Sequence, residues 1–181
     1  MSKVSKKTRN TVLCALVSAL GVIILLLGSV VDVLDLSAGA LAGMLGVFVV
    51  LEVGSYWPWM TYAVTATLSF LLLPNKFPAL IFALTGFYPP LKQKLERLPR
   101  VIAWIVKIVV CNAVLTAGIF ITSKLFLAVD LTLITGIDPV LNYAILYGAG
   151  NLVFILYDIA LSKFITYYVF VLRDRLRIGK K

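Results

Sequence analysis

The chain has 181 residues, of which 61% are hydrophobic and only 14% charged, with a formal net charge of +9. Soluble domains hold about 45 to 50% apolar and about 25% charged residues, so a water-soluble globule is excluded: it could not cover this much apolar surface. Nucleic acid is excluded as the partner of the positive charge, because thirteen of the seventeen Lys and Arg residues flank apolar runs, where they meet anionic lipid headgroups.

The first run, 11–31, follows Lys3, Lys6, Lys7 and Arg9. About 20 apolar residues cross a bilayer, whereas a cleaved signal has a shorter core; the run is therefore predicted as a membrane span. Asp32 and Asp35 mark a tight turn, and the second run, 36–53, returns antiparallel to the first. A third, 57–73, opens on Trp57-Pro58-Trp59, where indoles favour the membrane interface and proline is tolerated at a helix start. It ends at Pro74-Asn75-Lys76.

The fourth run, 77–91, is bounded by Pro78 and Pro89-Pro90 and is short for a full crossing, so it is either broken or extended at its ends. Lys92, Lys94, Glu96, Arg97 and Arg100 then read as an exposed basic connector. Span five covers 101–127, with Lys107 near enough to its start to reach back to the headgroups. A longer connection, 128–142, carries Asp130, Gly136, Asp138 and Pro139. Span six covers 143–172, before Arg173, Arg175, Arg177, Lys180 and Lys181.

Basic residues beside spans stay on the cytoplasmic side. Six spans put all three basic clusters there, leaving Lys76 and Lys124 on the outer connections; five or seven would put one tail on the wrong side. The expected architecture is an all-α integral membrane protein, a single six-helix bundle with both termini inside.

Polar residues within spans cost a few kcal/mol to bury and so mark function or interhelical bonding. Asp158 lies in span six, with Asn151 and Tyr147 on much the same face; Asn112 and Thr116, one turn apart on span five, are placed to meet them. Two readings stay open: a polar pocket, or a network that only holds helices together. Lys163 either neutralises Asp158 or reaches toward the cytoplasm. Glu52 reads as interfacial.

Small residues at four-residue spacing, Ala15 and Ala19 in span one and Ala38, Ala42 and Gly46 in span two, make stripes that another helix can approach closely. Their partner lies either inside the bundle or outside it. There is no phosphate loop, no nucleophile elbow and no zinc-protease motif. No histidine is present, and Cys14 and Cys111 sit in apolar runs without metal spacing. No enzyme activity, cofactor or metal is expected.

The segment Leu13-Cys14-Ala15-Leu16-Val17-Ser18-Ala19, followed by Leu34-Asp35-Leu36-Ser37 leading into a small-residue helix, resembles the substrate-binding S components of energy-coupling factor transporters. Those proteins are of similar length, usually six-helical, with both ends inside. The resemblance implies a location in the bacterial plasma membrane. It implies that Ala15 and Ala19 face a transmembrane coupling subunit, itself seated on two ATPase subunits. It also implies a pocket for a vitamin-like small molecule, lined by Asn112, Thr116, Tyr147, Asn151 and Asp158, with the 128–142 connection as its lid. A non-transporting structural or assembly partner of another membrane complex remains the alternative.

Overall fold

The computed structural model describes residues 5–96, 98–125 and 139–172, and these are all helical or in short turns. Four helices are long and apolar enough to cross a membrane: α1 (Lys6–Val30), α2 (Asp35–Glu52), α6 (Arg100–Leu125) and α7 (Pro139–Tyr167). Between them lie α3 (Trp57–Leu72), α4 (Phe77–Thr85) and α5 (Tyr88–Leu95). The 16 residues of α3 fall just short of a crossing length, and the predicted fourth span is two short helices rather than one.

Proline punctuates this part of the chain. α3, α4 and α5 each carry it in the first turn, where a missing N–H costs nothing because that donor has no intrahelical partner. Pro139 likewise opens α7, which starts four residues before the predicted 143. At the other end of α2, Gly54 takes φ +64, the left-handed conformation that commonly follows a helix end.

The chain divides into two compact units, Met1–Arg97 with Ile165–Lys181, and Leu98–Phe164. In the first, α1 and α2 form a hairpin through a 3-10 turn at Asp32–Leu34, and α2 packs on α1, α3, α4 and α5. Leu25, Ala42, Leu73, Ala79 and Phe82 form its apolar centre. Asp35, predicted in the turn, is the first residue of α2 and is buried, accepting a hydrogen bond from Asn75 Nδ2 at 3.3 Å. After α7, a π-helical stretch Tyr168–Leu172 returns to this unit. There the Tyr168 hydroxyl donates to Glu52 Oε1 at 2.9 Å, and its ring stands edge-on to Phe48.

α1 sorts its side chains inside out relative to a soluble helix. Cys14, Ser18, Gly21, Gly28 and Ser29 face inward with Leu25, while Val12, Leu16, Leu20, Ile23 and Leu27 are each more than half exposed. Water would reverse this arrangement. Lipid does not, because tails are as apolar as leucine and helices associate through close backbone packing and hydrogen bonds instead. α3 follows the same rule: its buried face is Pro58, Thr61, Thr65 and Ser69.

The basic connector differs from expectation. Lys92 lies inside α5 and is 1% exposed, with its ammonium 3.6 Å from Glu96 Oε1 and 6.0 Å from the Tyr88 ring centre. Pro89 and Pro90 start a helix that carries Lys92 into the packed side of α5, whereas Lys94 extends over the Trp59 ring at 5.5 Å.

Candidate functional site

The second unit is built on α6 and the first part of α7, antiparallel neighbours that hold the polar residues of both spans. Most of their surface is apolar and exposed, including Ile105, Val109, Phe120, Ile145, Leu152 and Leu156. The polar groups gather on the line where the two helices meet. They form three rungs, advancing along α6 as they retreat along α7.

The first rung joins Lys107 to Asp158. The Lys107 ammonium lies 3.2 and 3.0 Å from the two Asp158 carboxylate oxygens, and both residues are buried, at 7% and 5% exposure. Its charge also sits 5.5 Å from the Trp104 ring centre, one turn earlier on α6, which adds a cation–π attraction. Lys107 therefore does not reach to the headgroups, and Lys107, not Lys163, is the cation at Asp158; Lys163 is exposed. A carboxylate in an apolar surround gains far more from a fixed ammonium than it would in water, which accounts for the inward turn of the lysine.

The second rung is a reciprocal amide pair. Asn151 Nδ2 donates to Asn112 Oδ1 at 3.1 Å, and Asn112 Nδ2 to Asn151 Oδ1 at 3.4 Å. Each amide also donates back to its own helix, to the carbonyls of Ile108 and Tyr147. In the third rung the Thr116 and Tyr147 hydroxyls lie 2.7 Å apart, and Thr116 donates to the Asn112 carbonyl as well. From Lys107 to Thr116 the ladder climbs about 13 Å, at about 1.5 Å per residue.

All five residues expected to line a pocket thus lie on one interhelical line, and each is hydrogen-bonded across it. Sequence reasoning missed Lys107 as a member. The signal was available: in antiparallel helices, a partner nine residues before Thr116 belongs about nine to eleven residues after Tyr147, which is where Asp158 stands. The expected lid at 128–142 lies outside the described residues as far as 138; its last four residues are the first turn of α7.

Ala15 and Ala19 are both exposed on the outward face of α1, among its large aliphatic side chains. Ala38 and Ala42 instead face inward and are buried, Ala38 against Gly28 of α1. The two small-residue stripes therefore differ: that of α2 serves internal packing, whereas Ala15 and Ala19 leave a shallow strip on the surface.

The amide rung lends itself to a quantitative test. Replacing Asn112 or Asn151 singly with Ala strands the other amide, while the double replacement removes both. A double-mutant cycle measured by reversible unfolding in lipid-detergent mixtures is expected to give a coupling of about 0.6 kcal/mol and no more than about 1.7, as for other interhelical hydrogen bonds in membranes. A coupling of zero would show that the two amides do not bond across the helices in the folded protein.

The chain matches no protein-family model, no curated protein and no solved structure.

Proposed function

We propose that the chain is the substrate-binding membrane subunit of an ATP-driven uptake transporter of the energy-coupling factor type, taking up a vitamin-like micronutrient in the bacterial plasma membrane. The observation that carries this reading is the outward placement of Ala15 and Ala19 on a helix whose other face is packed. A strip without long side chains admits the backbone of another membrane helix, which is what docking on a coupling subunit requires. In this reading the chain is one six-span bundle, α3 serving as the third span and α4 with α5 as the fourth. The polar line of α6 and α7 receives the substrate toward its Thr116–Tyr147 end, where Thr116 is exposed and Tyr147 half-buried.

A second reading, a non-transporting assembly partner, draws on a different observation. The rungs satisfy one another's hydrogen bonds, as a purely structural seam would. Both readings use α1 for docking, and they part over the ligand and the ATPases.

Affinity purification from native membranes separates them. The transporter reading expects a coupling subunit and an ATPase pair to co-purify with the chain, and to be lost with Ala15→Leu/Ala19→Leu. It also expects native mass spectrometry to find a small molecule that Thr116→Val/Tyr147→Phe no longer retains. Co-purification with other membrane proteins but no ATPase, and no ligand, would leave the assembly reading in its place.

A further inference from the structure

The first unit has two unlike ends. At one of them α3 opens on Trp57 and Trp59, and the Lys94 ammonium of α5 lies 5.5 Å from the Trp59 ring centre. Indoles and snorkelling lysines mark the level of a membrane–water interface. α2 finishes at this end, and α1 begins there with the exposed Lys6, Lys7 and Arg9.

At the other end two turns meet, that between α1 and α2 and that between α3 and α4, joined by the hydrogen bond from Asn75 to Asp35. A turn standing in water would show its polar groups and tuck in its apolar ones. Here the sorting is reversed. Asp35 is buried, and the Lys76 ammonium donates to the Leu73 carbonyl at the end of α3, where the helix dipole is negative. Val30, Val33, Leu36, Leu71 and Leu72 are each more than half exposed. Val33, at 89%, stands in the turn itself and not on the flank of a long helix.

Helix length accounts for this reversal. At about 1.5 Å per residue, the 18 residues of α2 rise about 27 Å and the 16 of α3 about 24 Å. Past its basic first turns, α1 likewise covers about 27 Å from Val12 to Val30. The hydrocarbon core of a bilayer is about 30 Å thick. With Trp57 and Trp59 at one interface, α3 stops about 6 Å short of the far boundary, and any tilt shortens its reach further. Asp32, in the same turn as Val33, limits the depth, because a carboxylate costs most at the bilayer centre. We propose that both turns end inside the hydrocarbon, and that the acyl chains of that leaflet cover the surface formed by Val30, Val33, Leu36, Leu71 and Leu72. The proposal is independent of the transport reading and of the polar line in the second unit.

The test places a spin label at Val33→Cys or Leu72→Cys in the full chain, in phosphatidylcholine vesicles. Cys14 and Cys111 are buried, and labelling of the unsubstituted chain sets the background. Collision with oxygen, which concentrates in hydrocarbon, is compared with collision with a water-soluble nickel chelate. Both labels are expected to favour oxygen severalfold, whereas one at Lys7→Cys favours nickel. The oxygen preference at position 33 should grow as the acyl chains lengthen from sixteen to twenty-two carbons, because a unit anchored at one interface then ends deeper. Preference for nickel at either turn, meaning a surface in water, overturns the proposal. So does protection from both reagents, meaning a second copy of the chain on this surface, or a preference indifferent to chain length. Should Val33→Cys fail to fold, Leu72→Cys on the other turn gives the same readings.

Discussion

Asp158→Ala is expected to destabilise the protein by about 3 to 5 kcal/mol, the usual cost of removing one partner of a buried ion pair. The loss comes less from the attraction forgone than from what remains, a Lys107 ammonium buried at 7% exposure with its carboxylate gone. Lys107→Ala is expected to cost a similar amount by stranding the carboxylate. The informative variant is the double replacement Lys107→Met/Asp158→Leu, which removes both charges and retains bulk. Apolar isosteres of buried pairs are often neutral or stabilising, so this variant should recover most of the stability of the wild type. Denaturant or thermal unfolding of the four proteins in one detergent checks the scheme. A double variant as unstable as the singles would mean that the site depends on charge for something besides its own neutralisation.

Gly28→Leu is expected to be the most disruptive substitution in the first unit. A Cβ at Gly28 would collide with Ala38 Cβ, and the Leu34 carbonyl lies 3.6 Å away. Ala38 has no flexible end to swing aside, so the α1–α2 hairpin must open. Overpacking of this kind costs about 1 to 3 kcal/mol for a few added methylenes, occasionally more. In lipid the close approach lost is itself a main source of helix association. Gly148→Leu is the matched control: nothing lies within 4 Å of the Cβ position, and no measurable change in unfolding is expected. Gly150→Ala falls between them, since its Cβ would meet the ends of the Leu115 side chain, which can rotate. Comparable losses at positions 28 and 148 would show that the loss at position 28 does not come from the α1–α2 contact.

These two cases mark where sequence reasoning stops. The apolar runs of α1, α2, α6 and α7 are long enough to be read directly, because a span must satisfy its backbone hydrogen bonds internally and so announces itself as about 20 apolar residues. α4 and α5 are harder. Pro89-Pro90 reads equally as a boundary or as the first turn of a new helix, and only the backbone angles at Gly86 and Phe87 decide that the helix resumes. The burial of Lys92 went unread for the same reason: among Lys94, Glu96 and Arg97 it looks solvated, yet the register of α5 turns it inward.

The polar residues divide likewise. Their positions on two apolar helices marked Asn112, Thr116, Tyr147, Asn151 and Asp158 as a set, since polar groups in lipid need partners. Which partner each takes depends on how far one helix has slid along the other. A shift of one turn would carry Asp158 away from Lys107 and toward Asn112, without changing either helix.

By itself, then, the sequence determined that this chain is helical, membrane-suited and basic at three places, because hydropathy and charge act residue by residue along the chain. The tertiary structure decided what those residues do to one another. It made the Lys107–Asp158 pair, and it exposed Ala15 and Ala19 while burying Ala38 and Ala42. Each of these depends on helix rotation and register, which hydrophobic patterning constrains weakly when lipid rather than water surrounds the helices and accepts apolar side chains on every face.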